Sequence, residues 1–122
     1  WETRKIMHAP DLKIAPTAVR VPVFRSHSES INLETEQYLS VERVRQILQA
    51  APGVIVQDDP SANLYPMPLY ASDKDEVFVG RIRRDLSVEN GLAIWVSADQ
   101  IRKGAATNAI QIAEIVAAKN LY

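Results

Sequence analysis

The sequence predicts an α+β domain: a mostly antiparallel sheet packed against helices, with a long helix at its C-terminal end. Two patterns carry that reading. Residues 77–84 and 92–96 are β-branched and aromatic stretches that flank Asn90-Gly91, the clearest hairpin signal in the chain. Residues 101–121 set Ala106, Ala109, Ile110, Ala113, Val116 and Ala117 on one helical stripe. Composition agrees, because 122 residues with 47% hydrophobic and 24% charged side chains can bury one core and are unlike a disordered chain.

Taken in order, Trp1 to His8 reads as a short helix that ends before Pro10, since proline disfavours helical geometry in the residue ahead of it. Trp1 is neither an initiator Met nor a capping residue, so the chain is expected to be a piece of a longer protein. A loop over residues 10–16 follows. Residues 17–24 alternate and are rich in β-branched side chains, but Pro22 cannot donate to a ladder, so an edge or bulged strand is expected there. Arg20 and Pro22 would share one face of it. Residues 27–36 continue as a second extended stretch. Ser40 then caps a helix whose apolar positions Val41, Val44, Ile47 and Leu48 follow three-four spacing, and Pro52-Gly53 stops it. Val54-Ile55-Val56 is a short strand, and residues 58–68 are turn chemistry expected to form an ordered loop. After the hairpin, Asp99 or a neighbour starts the last helix, whose narrow alanine stripe suits close packing on something flat. Three helical segments are therefore expected.

Charge and composition exclude several function classes. The formal net charge is -1 with both signs mixed along the chain, so no broad positive field exists for nucleic acid or an anionic membrane. No apolar run approaches the roughly 18 residues of a membrane span, and no basic-then-apolar leader opens the chain, so a cytoplasmic protein is expected. With no cysteine there is no disulfide, thiolate metal site or thiol nucleophile. His8 and His27 are the only histidines, so no metal site is expected.

Arg20, His27 and Glu29 lie within ten residues of one another, on extended chain. An arginine fork grips carboxylate or phosphate, and histidine exchanges protons near neutrality, so together they suit an anionic substrate. The same pattern also fits a solvated Arg20 and a His27 bonded in a polar turn to Ser26 or Ser28, which is the commoner arrangement. Arg81 and Arg83 would share one strand face and Arg84 the other, as solvated strand arginines often do. Lys103-Gly104 could receive a phosphate but is not a glycine-rich nucleotide loop. Asp58-Asp59 before Pro60 more often makes a turn than an acid-base couple.

The segment Arg20-Val21-Pro22-Val23-Phe24-Arg25-Ser26-His27-Ser28-Glu29 closely resembles the active-site strand of bacterial aspartate-semialdehyde dehydrogenases. Residues 77–85 and 95–114 resemble the same family's C-terminal signature, and Glu2-Thr3-Arg4-Lys5-Ile6 is similar to the helix that precedes them. These four collinear blocks cover essentially the whole chain. The resemblance implies the fold of a glyceraldehyde-3-phosphate-dehydrogenase-like C-terminal domain. Residues 1–122 would be its substrate-binding and dimerisation domain, with the helix from about residue 100 returning to an NADP-binding domain outside the chain.

The family reduces L-aspartyl 4-phosphate to L-aspartate 4-semialdehyde with NADPH, on the route to diaminopimelate, lysine, threonine and methionine. Its cysteine nucleophile and most of its NADP site lie on the other domain, so the chain alone is expected to be inactive. The resemblance makes His27 the general acid-base, Arg20 the clamp on the substrate α-carboxylate, Glu2 the partner of its ammonium and Lys5 a cation for phosphate. Asn108 would approach the nicotinamide, and a homodimer or dimer of dimers would form. Two positions depart from the family, Ala18 for a frequent cysteine and Ser26 for a common glycine. The alternatives are a non-catalytic dimerisation module of the same fold, or a related acyl-phosphate reductase such as the N-acetyl-glutamyl-phosphate enzyme.

Overall fold

The computed structural model describes residues 1–121. Its centre is the predicted hairpin, β3 (Val77–Arg84) and β4 (Gly91–Ala98), paired antiparallel. The connecting loop is ordered by its own polar groups: the Asp85 carboxylate accepts from the Ser87 amide at 2.9 Å and the Ser87 hydroxyl at 2.7 Å. β1 (His27–Glu34) pairs with β4 along its full length, from His27 opposite Ala98 to Glu34 opposite Gly91. β2 (Val54–Val56) joins β3 in parallel, giving the order β1-β4-β3-β2.

One face of the sheet is covered by α2 (Val41–Ala50). Ser40 caps this helix by accepting the Arg43 amide at 3.1 Å, and Val44 then packs with Val79, Ile82 and Leu92 as the buried centre of the core. Arg45 is tied to the buried Asp58 carboxylate at 2.7 Å, which fixes the helix to the chain leaving β2. Pro52-Gly53 ends the helix as expected, with Gly53 at φ +73 where a side chain would be strained.

The opposite face is covered by the segment between β2 and β3. Residues 58–68 form the expected ordered loop, with a 3-10 turn at Pro60–Ala62 held by the Asp59 carboxylate. Trp95 Nε1 donates to the Pro66 carbonyl at 3.0 Å, and Pro66 is fully buried. A Cβ on Gly80 would stand 1.9 Å from the Gln57 carbonyl oxygen and 2.6 Å from Pro66 Cδ, so only glycine lets this segment approach the strand. The loop leads into α3 (Pro68–Ala71), which the sequence did not announce because four residues are too few to show a period.

Three expectations need correction. Residues 17–24 form no strand: the Val23 amide closes onto the Val21 carbonyl at 2.8 Å, a tight turn around Pro22. With the chain turned at Pro22 and no strand assigned over 17–24, Arg20 and Pro22 do not share a strand face. The arginine run of β3 does not alternate simply either, because the pairing register shifts between Gly80 and Arg83 and Arg81 lies at φ +50. This bulge lets both Val79 and Ile82 enter the core, while the Arg81 guanidinium lies over Tyr65 and that of Arg84 over Tyr38. Finally, the short α1 (Glu2–Ile6) and α2 are joined by both α3 and the terminal helix, so the helical segments outnumber the three expected.

The terminal helix opens as a wide π turn, Arg102–Ala106, and continues as α4 (Thr107–Ala118). No residue of either part is buried within the chain, so the alanine stripe has no partner here. Its start is pinned by Asp75, which accepts from Arg102 at 2.9 Å and from the Thr107 hydroxyl at 2.7 Å. No helix among the described residues is long and apolar enough to cross a membrane.

Gly80→Ala should lower stability by about 2 kcal/mol or more, because the new methyl meets backbone rather than a flexible side chain. Urea unfolding checks this, and an unchanged midpoint would contradict the close approach. Asp85 titrates at about 2, held down by its hydrogen bonds from the Ser87 hydroxyl, the Ser87 amide and Asn32. In a carboxyl NMR titration, Ser87→Ala should raise that value toward 3.8. Its contribution is present above the ordinary carboxylate value and disappears as pH falls through about 2.

Candidate functional site

The β1 and β4 ladder brings the first residue of one strand beside the last of the other, His27 opposite Ala98. Residues two apart on a strand share a face, so His27 and Glu29 stand with Val96 and Ala98 on one side. The chain leaving β4 closes this corner into a small cavity of about 120 Å³, lined also by Asp99, Gln100 and Gly104. His27 and Glu29 are both exposed, so the imidazole is open to a small polar guest.

Asp99 is the fully buried floor of the corner. Its carboxylate accepts the amides of Asp73 at 2.8 Å, Ile101 at 2.8 Å and Arg102 at 3.1 Å. Burial by itself would raise its pKa. The Arg102 and Ile101 amides, with the charges of Arg25 and Arg102, outweigh burial and hold it below the ordinary carboxylate value. Asp99 therefore stays an anion and serves as the helix-starting residue expected at this position, not as a proton donor.

Just ahead of His27 the backbone is tightly held. Ser26 is buried at φ +73, the region glycine enters without cost, so a serine here carries a steric penalty. Its amide donates to Gln100 Oε1 at 2.6 Å, and its hydroxyl lies 3.1 Å from that of Ser72, which donates to the Pro68 carbonyl at 2.7 Å. Arg25 forms an ion pair with Asp73.

The other predicted site residues are elsewhere. Arg20 lies exposed in the irregular segment ahead of β1 and does not line the His27 cavity, so the expected convergence of the two is not met within the chain. Glu2 and Lys5 are exposed on α1, one turn apart. Lys5 Nζ lies 5.3 Å from the centre of the Trp1 ring and lines a second, open concavity with Trp1, Arg4, His8 and Pro10. Asn108 is exposed on α4, its Oδ1 3.5 Å from Lys103 Nζ, which also donates to Gln111 at 2.6 Å. Gly104 does reach the His27 cavity, while its neighbour Lys103 is engaged along the helix. Among the described residues, no cluster of three or more His, Cys, Asp or Glu could hold a metal ion. Glycines at 53, 80, 91 and 104 are dispersed, Gly80 being packed by Gln57 and Pro66 and Gly91 by Val88 and Asp85, so they form no glycine-rich cradle for a dinucleotide among the described residues.

Asp99 and Gln100 were not singled out as site residues from the sequence. The one available signal was Asp99 itself, an N-terminal helix residue directly after an apolar strand.

Residues 1–103 match the family model described as "Semialdehyde dehydrogenase, dimerisation domain". The chain belongs to that family. It is 59% identical over 121 residues to the aspartate-semialdehyde dehydrogenase of Aquifex aeolicus, covering 99% of this chain and 36% of the relative. The structure of aspartate semialdehyde dehydrogenase II of Vibrio cholerae, complexed with ASA, matches with TM-score 0.81 and 42% identity over 96% of this chain and 34% of that one. The Candida albicans enzyme with NADP matches with TM-score 0.67 and 33% identity over 84% of this chain and 33% of that chain. The chain thus spans about a third of the length of these relatives. Its fold is the glyceraldehyde-3-phosphate-dehydrogenase-like one of the family, and the α+β expectation holds.

Because the Asp99 pKa is lowered on folding, its stabilisation is complete above the ordinary value of 3.8 and fades as pH drops through the folded value. Asp99→Asn should cost about 2 kcal/mol near neutrality, by removing charged acceptance from buried amides. The difference should shrink in acid, and urea unfolding near pH 7 and near pH 3 tests both statements. A pH-independent gap would contradict the assigned charge.

Proposed function

We propose that the chain is the substrate-binding and dimerisation domain of an NADP-dependent aspartate-semialdehyde dehydrogenase, reducing L-aspartyl 4-phosphate to L-aspartate 4-semialdehyde. The observation that carries this reading is 59% identity to such an enzyme across 99% of the chain. The site adds an open imidazole at a strand end, in a corner whose neighbouring buried carboxylate is already committed to backbone amides. In this reading the parent works in the cytoplasm, in biosynthesis of diaminopimelate, lysine, threonine and methionine.

In this reading His27 is the general acid-base. It takes the proton of a cysteine thiol supplied by the other domain as the sulfur bonds to the acyl carbon and inorganic phosphate leaves, and it governs the proton on the tetrahedral oxygen. The other domain would hold most of the NADPH, which when bound would supply the hydride. Arg20 grips the substrate α-carboxylate with its planar fork, Glu2 receives the substrate ammonium, and Lys5 offers charge to the phosphate. Asn108 contributes to the cofactor side from α4. Arg20, Glu2 and Lys5 all belong to the first 25 residues, where Trp1, Val19 and Phe24 are exposed. Covering those apolar groups with the remaining protein is what would draw these side chains toward His27. Two copies would pair through the sheet as a homodimer or a dimer of dimers.

The absence of Arg20 from the lining of the His27 cavity favours a second reading, a module that keeps the fold for subunit pairing alone. The two separate in a coupled assay with aspartate semialdehyde, phosphate and NADP. The full-length protein should turn over and the 122-residue chain alone should not. His27→Ala in the full-length protein should reduce kcat by about 10² to 10⁴. Full activity in that variant would remove His27 from the mechanism, and an inactive native full-length protein would support the pairing module.

A further inference from the structure

We propose that Gln100 is a positioning residue for His27, acting through the amide of Ser26. The inference rests on the acid-base role given to His27. Its starting point is a strained residue. Ser26 is buried and left-handed at φ +73, a conformation that a non-glycine residue keeps only where its surroundings hold it. The next residue is His27, so the plane of the Arg25–Ser26 peptide, with the left-handed backbone of Ser26, sets the direction from which the imidazole leaves the backbone.

Two contacts hold that plane. The Ser26 amide donates to Gln100 Oε1 at 2.6 Å, across 74 positions of sequence, and the Ser26 hydroxyl lies 3.1 Å from that of Ser72. Gln100 is well placed for this because Ala98, two residues earlier, is the strand partner of His27. Side chain, strand end and ladder therefore form a closed loop around the imidazole's backbone, and Gln100 lines the same cavity. Asp99 braces the arrangement from the adjacent position. It accepts the amide of Asp73, which in turn pairs with Arg25, the residue before Ser26. Consecutive residues at the end of β4 thus grip both sides of the turn that delivers His27.

The essential feature is an acceptor at the Gln100 side chain. Without it, a buried amide loses its partner and the strained turn can relax. Displacement of a catalytic group by about 1 Å costs up to about 10²-fold in rate. The effect should fall on kcat, because the Gln100 oxygen is committed to the Ser26 amide and acts through it.

The test compares Gln100→Leu, which keeps bulk without an acceptor, with Gln100→Glu, which keeps the acceptor, both in the full-length protein. Ser26 amide hydrogen exchange, kcat, and KM for aspartate semialdehyde are measured for each. Gln100→Leu should speed Ser26 exchange about tenfold or more and lower kcat about 10- to 100-fold, with KM changed less than about threefold. Gln100→Glu should keep the protection and most of kcat. Unchanged Ser26 protection in Gln100→Leu would overturn the proposal. So would a Gln100→Glu variant as impaired as Gln100→Leu, since that outcome assigns the role to the amide Nε2 as a donor. Ser26 exchange reads the clamp without any turnover, so a failure of the enzymatic reading, seen as full activity in His27→Ala, remains distinguishable.

Discussion

The antiparallel ladder from His27–Glu34 to Gly91–Ala98 is the constraint on which the site depends. It joins a strand near the start of the chain to one near its end, and its last rung sets His27 against Ala98. Everything around the imidazole follows from that rung. The chain leaving β4 must turn at once, and Asp99 makes the turn by collecting the amides of Ile101 and Arg102 on one carboxylate oxygen. Its other oxygen takes the Asp73 amide, so the loop ahead of β3 is tied to the same point. A buried carboxylate with this set of donors is stable because charged acceptors bond amides more strongly than neutral ones. The charge is thereby consumed in holding structure. Of the side chains lining the cavity, histidine remains the type suited to proton exchange near neutrality.

The apolar cluster that supports this ladder is small. Val44, Val79, Ile82 and Leu92 form its buried centre, between α2 and the middle strands. At both ends of the chain the balance reverses: Phe24 and Trp1 are almost wholly exposed, and Ile110, Ile112 and Ile115 stand in solvent on α4. Apolar surface of this extent marks an interface more often than a free surface. A family named for dimerisation, and relatives about three times as long, are consistent with such exposure. The terminal helix has the same character, since its anchoring is polar and confined to its first turns, through Asp99 and Asp75.

Features governed by local chemistry were legible in the sequence. Ser40 as a cap, Pro52-Gly53 as a stop, Val54–Val56 as a strand and Asn90-Gly91 within the hairpin loop all depend on neighbours a few residues apart. The errors arose where distant contacts decide. Residues 17–24 have strand composition, yet a strand needs a partner and a free donor, and Pro22 sits in a tight turn with no ladder alongside. The bulge at Arg81 answers to the packing of Ile82 and the close passage of Gln57 over Gly80, neither of which alternation can reveal. Of the candidate site, the resemblance marked His27 and its segment. Spacing could not show that Gln100 reaches back 74 positions to Ser26.

Arg20 and His27 differ in how firmly the chain holds them. A family likeness at 59% identity survives local rearrangement, because it rests on the whole chain. Convergence of two side chains is a local claim, and it requires the backbone between them to be held. Between Arg20 and His27 the held part begins only at Arg25, with the Asp73 ion pair and the Ser26 clamp. Upstream of it, Val19, Val21 and Val23 are exposed and no ladder fixes the chain. The imidazole is therefore preorganised by this domain, whereas the guanidinium's position depends on whatever buries the arm that carries it. Under the proposed function the catalytic geometry would thus be assembled in two stages, and only the stage anchored to β4 is held by these residues.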